Sequence, residues 1–395
     1  MTERQFNKWL DEAEYPINDK LKEVLQGVNF SLTKEMTQRL LDKMEFNRTL
    51  YQSNGYPNIK YIMSCRCPYI ILVGGRGTGK TYGFFKYFYD EIKEKFLYMR
   101  RTQTQLESCT DAELNPFKDF NIQEHHNIQP FTSKKYVQFQ ECEEDGSPKN
   151  DEEIIALGVA LSTFYNLRGF SGKGYNWLFF DEIIPEVMEM VRKGEGSAFK
   201  NAIETINRNR ELNGEKPIQC ILCGNSNRLD STILLSLGAI DVIENMKKKQ
   251  QEVYVNQERG LCVIDLQKSP ISVLKRCTSL YRVANDEQFT AMALDNDFAD
   301  LKNATNIKSM NLAEFKPMYG FNNKICVYRH KSKGMYYVST HFAGEPKYKF
   351  NVLLKEDRQR YRQNVKGILL MAIIADIITY ESYTCKMLLE DIVYN

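Results

Sequence analysis

The sequence has little excess charge of either sign and lacks long hydrophobic runs. Its 53 Lys and Arg residues nearly balance 51 Asp and Glu residues, which leaves a formal net charge of +2. A basic field over the whole molecule is therefore excluded, and nucleic-acid binding would have to depend on local clusters. No apolar run approaches the roughly 20 residues of a membrane-spanning helix, and the first residues lack a signal-peptide pattern. We expect a globular protein in a reducing cytosol.

The 10 cysteines form no recognisable disulfide or metal pattern. The close pairs are Cys65 with Cys67 and Cys220 with Cys223. Neither has a second pair or histidines at the spacing of a zinc site. Because free cysteine packs as a small hydrophobic residue, we predict buried, inert thiols.

Hydrophobic periodicity predicts a helical start, an α/β centre and a small α+β end. Leu21, Val24 and Leu25 recur at helical spacing, as do other apolar residues of the first 55. Near the end, strands over 324–329 and 335–340 are followed by an apolar helix over 367–378. The predicted boundaries are 1–60 for a helical extension, 61–265 for the central domain, 266–305 for a linker and 306–395 for the last domain.

The central domain contains short, continuously apolar runs that are typical of buried strands. Helical or loop segments separate these runs, and one such segment, predicted as a helix, covers Tyr82 to Lys95. Apolar strands joined by crossovers favour a parallel sheet with helices on both faces. The acidic segment 141–153 is predicted as an exposed loop. The predicted strands are 69–73, 96–99, 154–161, 177–180 and 218–223.

A glycine-rich segment between the first strand and the first helix fits the Walker A pattern. In this motif backbone amides surround phosphates, the lysine reaches the β and γ oxygens, and the hydroxyl holds Mg²⁺. The residues predicted to bind ATP here are Gly74, Gly75, Arg76, Gly77, Thr78, Gly79, Lys80 and Thr81.

The run Trp177 to Phe180 ends in Asp181 and Glu182, as a Walker B strand does. Its first carboxylate would hold Mg²⁺ together with Thr81, because both would lie at the carboxyl edge of the sheet. Glu182 is then placed to orient and deprotonate the attacking water. We therefore predict a P-loop ATPase of the ASCE type.

Further polar residues are candidates for completing the site. Asn225 follows the predicted strand 218–223 and would either sense the γ-phosphate or cap a turn. An arginine that neutralises charge on the transferred phosphoryl group would come from Arg208, Arg210 or Arg168, each of which could instead be an exposed surface residue. Arg76 could act only within its own subunit.

These motifs resemble the phi29-type DNA packaging ATPases of small tailed phages in order and approximate spacing. The resemblance covers roughly residues 65–395 and leaves the first 60 without a counterpart. The matching segments are Val73–Lys80, Phe96–Arg101, Phe180–Glu182, Arg208–Glu211 and Met292–Phe298.

The resemblance implies a ring, expected to have five subunits, that docks on the portal of a viral prohead in the host cytoplasm and pumps double-stranded DNA inward. It implies an arginine-finger or sensor role for Arg208 and makes Arg168 a second candidate acting on a neighbouring subunit. It also implies a vestigial RNase H-like C-terminal domain, and no aspartate lies on its strand 324–329. Some of these motors also use a structural RNA.

Two basic clusters are candidates for DNA contact through phosphates, although solvated helix faces are the simpler interpretation. They comprise Lys247 to Lys249, and Arg358, Arg360 and Arg362. Two other functions are compatible with the sequence. One is another DNA-dependent ATPase, such as a helicase or a terminase with an active nuclease. The other is a nucleotide-binding assembly protein without turnover.

Overall fold

The computed structural model describes most of the chain. The described residues are 1–133, 135–150, 153–167, 169–170, 172–186, 189, 194–225, 229–283, 294 and 305–394. They form two compact units, of which the larger comprises Met1–Leu237 with Met246–Ala299. The smaller comprises Gly238–Asn245 with Asp300–Asn395.

The first residues are helical, as the periodicity predicted: α1 is Glu3–Glu12, α2 is Asn18–Gln26 and α3 is Lys34–Lys43. Thr2 and Thr33 cap α1 and α3 because their hydroxyls accept hydrogen bonds from backbone amides of the first turn. The three helices share a buried core. That core includes Phe6, Leu25 and Leu40 together with Ile271, Leu274 and Cys277 from far along the chain.

A nine-stranded sheet forms the centre of the larger unit. Its order is β3-β4-β5-β2-β6-β7-β1-β9-β8. The strands are β1 Tyr69–Gly74, β2 Phe96–Arg100, β3 Ile128–Thr132, β4 Val137–Glu141, β5 Ala156–Ala160, β6 Trp177–Phe180, β7 Gln219–Asn225, β8 Val253–Asn256 and β9 Leu261–Asp265.

Six neighbouring strands of the sheet, β5, β2, β6, β7, β1 and β9, are parallel to one another. This confirms the parallel sheet that was predicted for the centre of the domain. Both edges differ from it, because β3, β4 and β8 pair antiparallel. Their mixed polar and apolar composition did not show the continuous apolar run of the central strands. The acidic segment predicted as a loop begins at Glu141, the last residue of β4.

Helices cover both faces of the sheet, as neighbouring residues of β6 show. The Phe179 ring lies 5.5 Å from the rings of Phe84 and Phe85, whereas the Phe180 ring lies 5.9 Å from Phe199. The helices of this unit are α4 Ile59–Met63, α5 Lys80–Lys86, α6 Gln103–Ser108, α7 Lys118–Glu124, α8 Glu195–Asn207, α9 Thr232–Ser236, α10 Ile240–Lys248, shared with the smaller unit, α11 Pro270–Leu274 and α12 Ser279–Val283.

The helix predicted from Tyr82 to Lys95 differs in detail. After α5 the chain continues as a π-helix over Tyr87–Ile92 and ends at Lys93, whose backbone is left-handed. The segment predicted as a linker, 266–305, contributes α11 and α12 to the larger unit.

The smaller unit contains a five-stranded sheet. Its strands are β10 Phe315–Phe321, β11 Ile325–His330, β12 Tyr336–Ser339, β13 Tyr348–Phe350 and β14 Ile378–Tyr380, and their order in the sheet is β13-β10-β11-β12-β14. The predicted strand pair is confirmed as antiparallel β11 and β12, in which Arg329 pairs with Tyr336. The apolar helix predicted to reach residue 378 ends earlier, at Ile374, because the chain turns through Asp376 at φ 51° and enters a strand. The helices of this unit include α13 Lys355–Asn364, α14 Lys366–Ile374 and α15 Tyr383–Tyr394.

The fold class predicted from the sequence is confirmed: a P-loop α/β sheet with a second, smaller sheet domain. The RNase H-like character of the smaller domain stays a prediction. All ten cysteines are free, and every one except the partly exposed Cys65 is buried, as predicted. In the part of the chain that the structure describes, no helix combines the length and apolar character needed to cross a bilayer.

Candidate nucleotide-binding site

The glycine-rich loop lies between β1 and α5, in the strand, loop and helix order that the sequence predicted. Gly77 and Gly79 have φ of 63° and 80°, a left-handed backbone that glycine adopts without steric cost. The Thr78 hydroxyl is fully buried and donates to the Gly75 carbonyl at 2.9 Å. The loop is thus held in a tight, internally braced turn, which is the backbone geometry that surrounds phosphates in P-loops.

Lys80 is a buried cation whose contacts in the described structure are all neutral. Its Nζ donates to the carbonyls of Gly74 at 3.0 Å and Gly75 at 2.8 Å, and lies 3.3 Å from Oδ1 of Asn225. Burial lowers the pKa of Lys80 to about 8. An ammonium removed from water without a carboxylate partner is costly. The position therefore suits a bound anion.

Thr81 and Asp181 come together across the sheet edge. The Thr81 hydroxyl lies 3.3 and 3.4 Å from the two carboxylate oxygens of Asp181. Asp181 follows β6, and its amide donates to the Met99 carbonyl of neighbouring β2 at 3.0 Å. Burial raises the pKa of Asp181, and the charges of Arg100 and Lys80 oppose that shift. A hydroxyl and a buried carboxylate are oxygen donors of the kind that Mg²⁺ prefers beside a triphosphate, so the pair fits this ion.

Glu182 lies beside Asp181 with a left-handed backbone, φ 59°, which is a strained conformation for a residue with a Cβ. Its carboxylate accepts a hydrogen bond from Nη2 of Arg100, the last residue of β2. Nη1 of the same guanidinium lies 3.4 Å from Oδ2 of Asp181. Arg100 therefore bridges both carboxylates of the predicted Walker B motif.

The role of Arg100 was missed in the sequence, where it was noted only within the Phe96–Arg101 segment. The next residue, Arg101, turns to the other side of the chain and makes a bidentate ion pair with buried Glu195 at the start of α8. The position of Arg100 at the end of an apolar strand could have indicated this contact, because parallel strands end at the same edge of a sheet.

Asn225 ends β7 directly opposite Gly74 in the register with β1. It is buried, and its side-chain carbonyl accepts from Lys80. The structure thus brings Asn225 to the phosphate loop, next to the lysine that is predicted to bind the γ-phosphate.

Residues from two distant segments also contact the loop and were missed. Lys275, which begins a short 3₁₀ turn after α11, donates from Nζ to the Arg76 carbonyl. A Cβ at Gly79 would meet the Tyr56 ring. Arg76 itself extends from the loop to an ion pair with Glu186 at 2.6 Å. No local pattern marks Tyr56 or Lys275, since the contacts depend on tertiary packing.

Arg208 and Arg210 lie at the opposite edge of the sheet from the phosphate loop. Asn207, the last residue of α8, accepts from the amide of Ile218, just before β7 begins. Because β7 has seven residues and rises about 3.3 Å per residue, its two ends are about 20 Å apart. Arg208 donates to the Phe170 carbonyl at 2.9 Å.

Arg210 is buried, and its guanidinium donates to the carbonyls of Gly172 and Tyr175. These bonds indicate a structural role within the subunit. The third candidate, Arg168, lies outside the described residues, as does the Met292–Phe298 segment apart from Leu294.

The basic clusters predicted to contact DNA are partly engaged elsewhere. Nζ of Lys247 lies 3.1 Å from the fully buried carboxylate of Asp265. This lysine is therefore directed toward the protein interior and not, as the sequence suggested, part of an exposed basic cluster. Arg358 donates to the carbonyls of Val352 and Leu353, and Arg360 pairs with Asp357 at 3.3 Å. Lys248 and Lys249 are exposed.

A cavity of about 450 Å³ lies away from the phosphate loop, between the 3₁₀ helix Leu161–Leu167 and α8. Its lining includes Phe164, Glu195 and Ala198 but none of the residues of the loop, nor Asp181 or Asn225. It is therefore separate from the candidate nucleotide site.

No family model and no curated protein sequence matches this chain. In structure, the chain is similar to the gp11 DNA packaging motor of Phi-28, with a TM-score of 0.56 and 18% sequence identity over 86% of this chain and 97% of that chain. It is also similar to the bacteriophage Phi-29 viral genome packaging motor assembly, with a TM-score of 0.55 and 16% identity over the same shares of the two chains. The chain has the fold of these phage DNA packaging motors.

Proposed function

We propose that this protein is an ATPase that drives double-stranded DNA into a viral prohead. The observation that carries the ATPase part is the convergence of Lys80, Thr81 and Asp181 at one sheet edge, where a buried ammonium faces neutral groups and a hydroxyl contacts a buried carboxylate. The packaging part is supported by the fold that the chain shares with the two phage motors.

ATP would bind with its phosphates against the backbone amides of the loop and the Lys80 ammonium. Thr81 and Asp181 would hold Mg²⁺, which when bound neutralises charge on the phosphates. Glu182 would orient and deprotonate the attacking water. Asn225, already hydrogen-bonded to Lys80, is placed to respond to the γ-phosphate.

The proposed arginine finger must come from another subunit. Arg208 lies at the amino edge of the parallel strands, about 20 Å from the loop of its own chain by the length of β7. An arginine that neutralises the transferred phosphoryl group has to contact it directly. Arg208 could therefore act only in a ring in which its edge faces the loop of a neighbour. We propose such a ring, expected to be pentameric, and retain Arg168 as the second candidate.

The proposed partners are double-stranded DNA, the prohead with its portal and, in some motors of this kind, a structural RNA. The protein would act in the host cytoplasm while docked on the prohead. DNA would be contacted through its phosphates, without sequence reading. The exposed candidates among the basic residues singled out in the sequence are Lys248, Lys249, Arg358, Arg360 and Arg362.

The deciding experiment measures phosphate release from ATP with and without double-stranded DNA and proheads. Wild type is compared with Glu182→Gln and Arg208→Ala. We expect turnover that depends on DNA and prohead in wild type and very little in either variant. Absence of phosphate release with all components present would instead support a non-hydrolysing assembly protein.

The alternative of an active nuclease has its own test. The resemblance to packaging ATPases implies a smaller domain that has lost the catalytic acids of a nuclease, and no aspartate lies on β11. We propose that the smaller domain does not cleave DNA. Cleavage of linear or supercoiled DNA in Mg²⁺ or Mn²⁺ would contradict this and favour a terminase with nuclease activity.

A further inference from the structure

We propose that Lys275 is a second phosphate-binding lysine of the nucleotide site, brought to the loop by the segment on which the N-terminal helices pack. This inference rests on the proposed nucleotide site. The sequence contained no sign of it, because Lys275 is 199 positions from Arg76, the loop residue that it contacts.

Geometry places the Lys275 ammonium directly on the loop. Nζ donates to the carbonyl of Arg76, and a Cβ added at the next residue, Gly77, would collide with it. Gly77 is thus required both for its left-handed backbone and for the close approach of this side chain. A flexible lysine at a half-buried position could extend into water, yet this one lies against the loop.

The charges around the loop indicate what Lys275 is suited to bind. Within the described part of the chain, no carboxylate makes an ion pair with either Lys80 or Lys275, and both ammonium groups donate only to neutral atoms. Burial also lowers the pKa of Lys275. An anion that binds between two ammonium groups relieves the repulsion between them.

The segment that carries Lys275 is firmly anchored. Ile271, Leu274 and Cys277 flank it and are buried in one core with α1, α2 and α3. Leu41 and Ile271 also pack around Gly55, on the stretch that leads to Tyr56. The N-terminal extension, to which the sequence assigned no role, therefore supports a wall of the nucleotide site.

Binding of a fluorescent ATP analogue, with competition by ADP, AMP and inorganic tripolyphosphate, tests this inference. Lys275→Met removes the charge while keeping most of the side-chain volume. We expect it to weaken binding of ATP and tripolyphosphate by about 10- to 100-fold, the range for one hydrogen bond to a charged group. Lys275→Arg should recover part of the loss. Lys268→Met, at an exposed position shortly before α11, is the matched control and should bind like wild type.

A second measurement separates phosphate binding from a purely structural clamp on the Arg76 carbonyl. In the wild-type protein, lysine acetylation is followed by mass spectrometry with and without tripolyphosphate. We expect tripolyphosphate to protect Lys275 and to leave Lys268 unchanged. This readout needs no variant, so it applies even if Lys275→Met does not fold. Equal acetylation of Lys275 in both conditions would overturn the inference.

Lys80→Met distinguishes this inference from the proposed function. In one outcome, wild type binds ATP, Lys80→Met does not, and Lys275→Met binds ATP as wild type does. If tripolyphosphate also fails to protect Lys275 of the wild-type protein from acetylation, then only the role of Lys275 is wrong. If wild type itself binds neither ATP nor tripolyphosphate, the nucleotide site as a whole is wrong.

Discussion

Arg100 holds Glu182 by a hydrogen bond between its Nη2 and the Glu182 carboxylate, and its Nη1 lies 3.4 Å from Asp181. The guanidinium is also hydrogen-bonded to the hydroxyl of Tyr98, two residues earlier on β2. In this arrangement the carboxylate proposed to activate water is engaged by an arginine of its own subunit. For Glu182 to act on water it must share or leave that bond, so Arg100 positions the carboxylate.

Replacing Arg100 with alanine should destabilise the fold and nearly abolish turnover. The change leaves buried Asp181 without its main positive neighbour, which for a buried ion pair costs about 3–5 kcal/mol. Urea unfolding measures the stability, and phosphate release measures the turnover. Arg4→Ala, at an exposed position of α1, is the control and should change neither. A stable, fully active Arg100→Ala variant would contradict the positioning role.

Glu182→Gln should bind ATP like wild type and hydrolyse it about 10²- to 10⁴-fold more slowly, the usual contribution of a general base. The amide retains an oxygen that can accept from Arg100, so the fold should be preserved. Binding is measured with a fluorescent ATP analogue, and hydrolysis by phosphate release. Glu23→Gln, at an exposed position of α2, is the matched control and should keep wild-type turnover. Equal loss of turnover in both variants would argue against a specific role for Glu182.

Arg208→Ala should be about as stable as wild type, whereas Arg210→Ala should be destabilised. Arg208 makes one exposed hydrogen bond, but Arg210 is buried and satisfies two carbonyls, whose loss costs about 1–3 kcal/mol. Thermal unfolding of the two variants tests this difference. Mixed rings of Arg208→Ala and Glu182→Gln should regain turnover, since each Arg208→Ala subunit keeps Glu182 and can receive Arg208 from its neighbour. Mixtures without any recovery would place Arg208 within its own site.

Nucleotide affinity should fall as pH rises through about 8, where the free protein loses the Lys80 proton. The sign follows from the lowered pKa: below 8 Lys80 is charged and binds phosphate, and above 8 the binding-competent fraction shrinks. For this group alone, affinity should be about 30-fold weaker at pH 9.5 than at pH 7. Lys275, whose pKa burial also lowers, shifts affinity in the same direction.

Titration of the fluorescent ATP analogue at several pH values measures this dependence. Lys80→Arg serves as the control, because arginine stays protonated over the whole range. Any pH dependence of ATP affinity that remains in this variant then reports the titration of Lys275. A wild-type affinity that does not change between pH 7 and pH 9.5 would contradict a buried, titrating Lys80 in the free protein.

Leu40→Ala should unfold the N-terminal helices more easily and also weaken ATP binding. Leu40 is fully buried in the core that holds Ile271 and Leu274, and a Leu to Ala change in a core costs about 2–5 kcal/mol. Lys20→Ala, exposed on α2, is the control. Loss of stability with unchanged ATP affinity would show that the extension does not support the Lys275 segment.

The local features of this protein could be predicted from its residues. An apolar run, a glycine-rich turn and a helix are decided by neighbours along the chain, so the strand, loop and helix that contain Lys80 followed from the pattern. Asp181 followed as well, because an acidic residue at the end of a buried parallel strand has to emerge at the edge where the loop lies. Antiparallel edge strands such as β8 were missed, since half-exposed strands carry no continuous apolar signal.

The partners of these residues depend on how the chain folds in space. Arg100 meets Asp181 because β2 and β6 are neighbours in the sheet, and Lys275 meets Arg76 because the N-terminal core fixes a segment 199 positions away. Arg208 lies at the far edge because α8 returns along the strands before β7 begins. Sequence patterns report chemistry that depends on local periodicity, whereas contacts between distant residues arise from sheet order and packing.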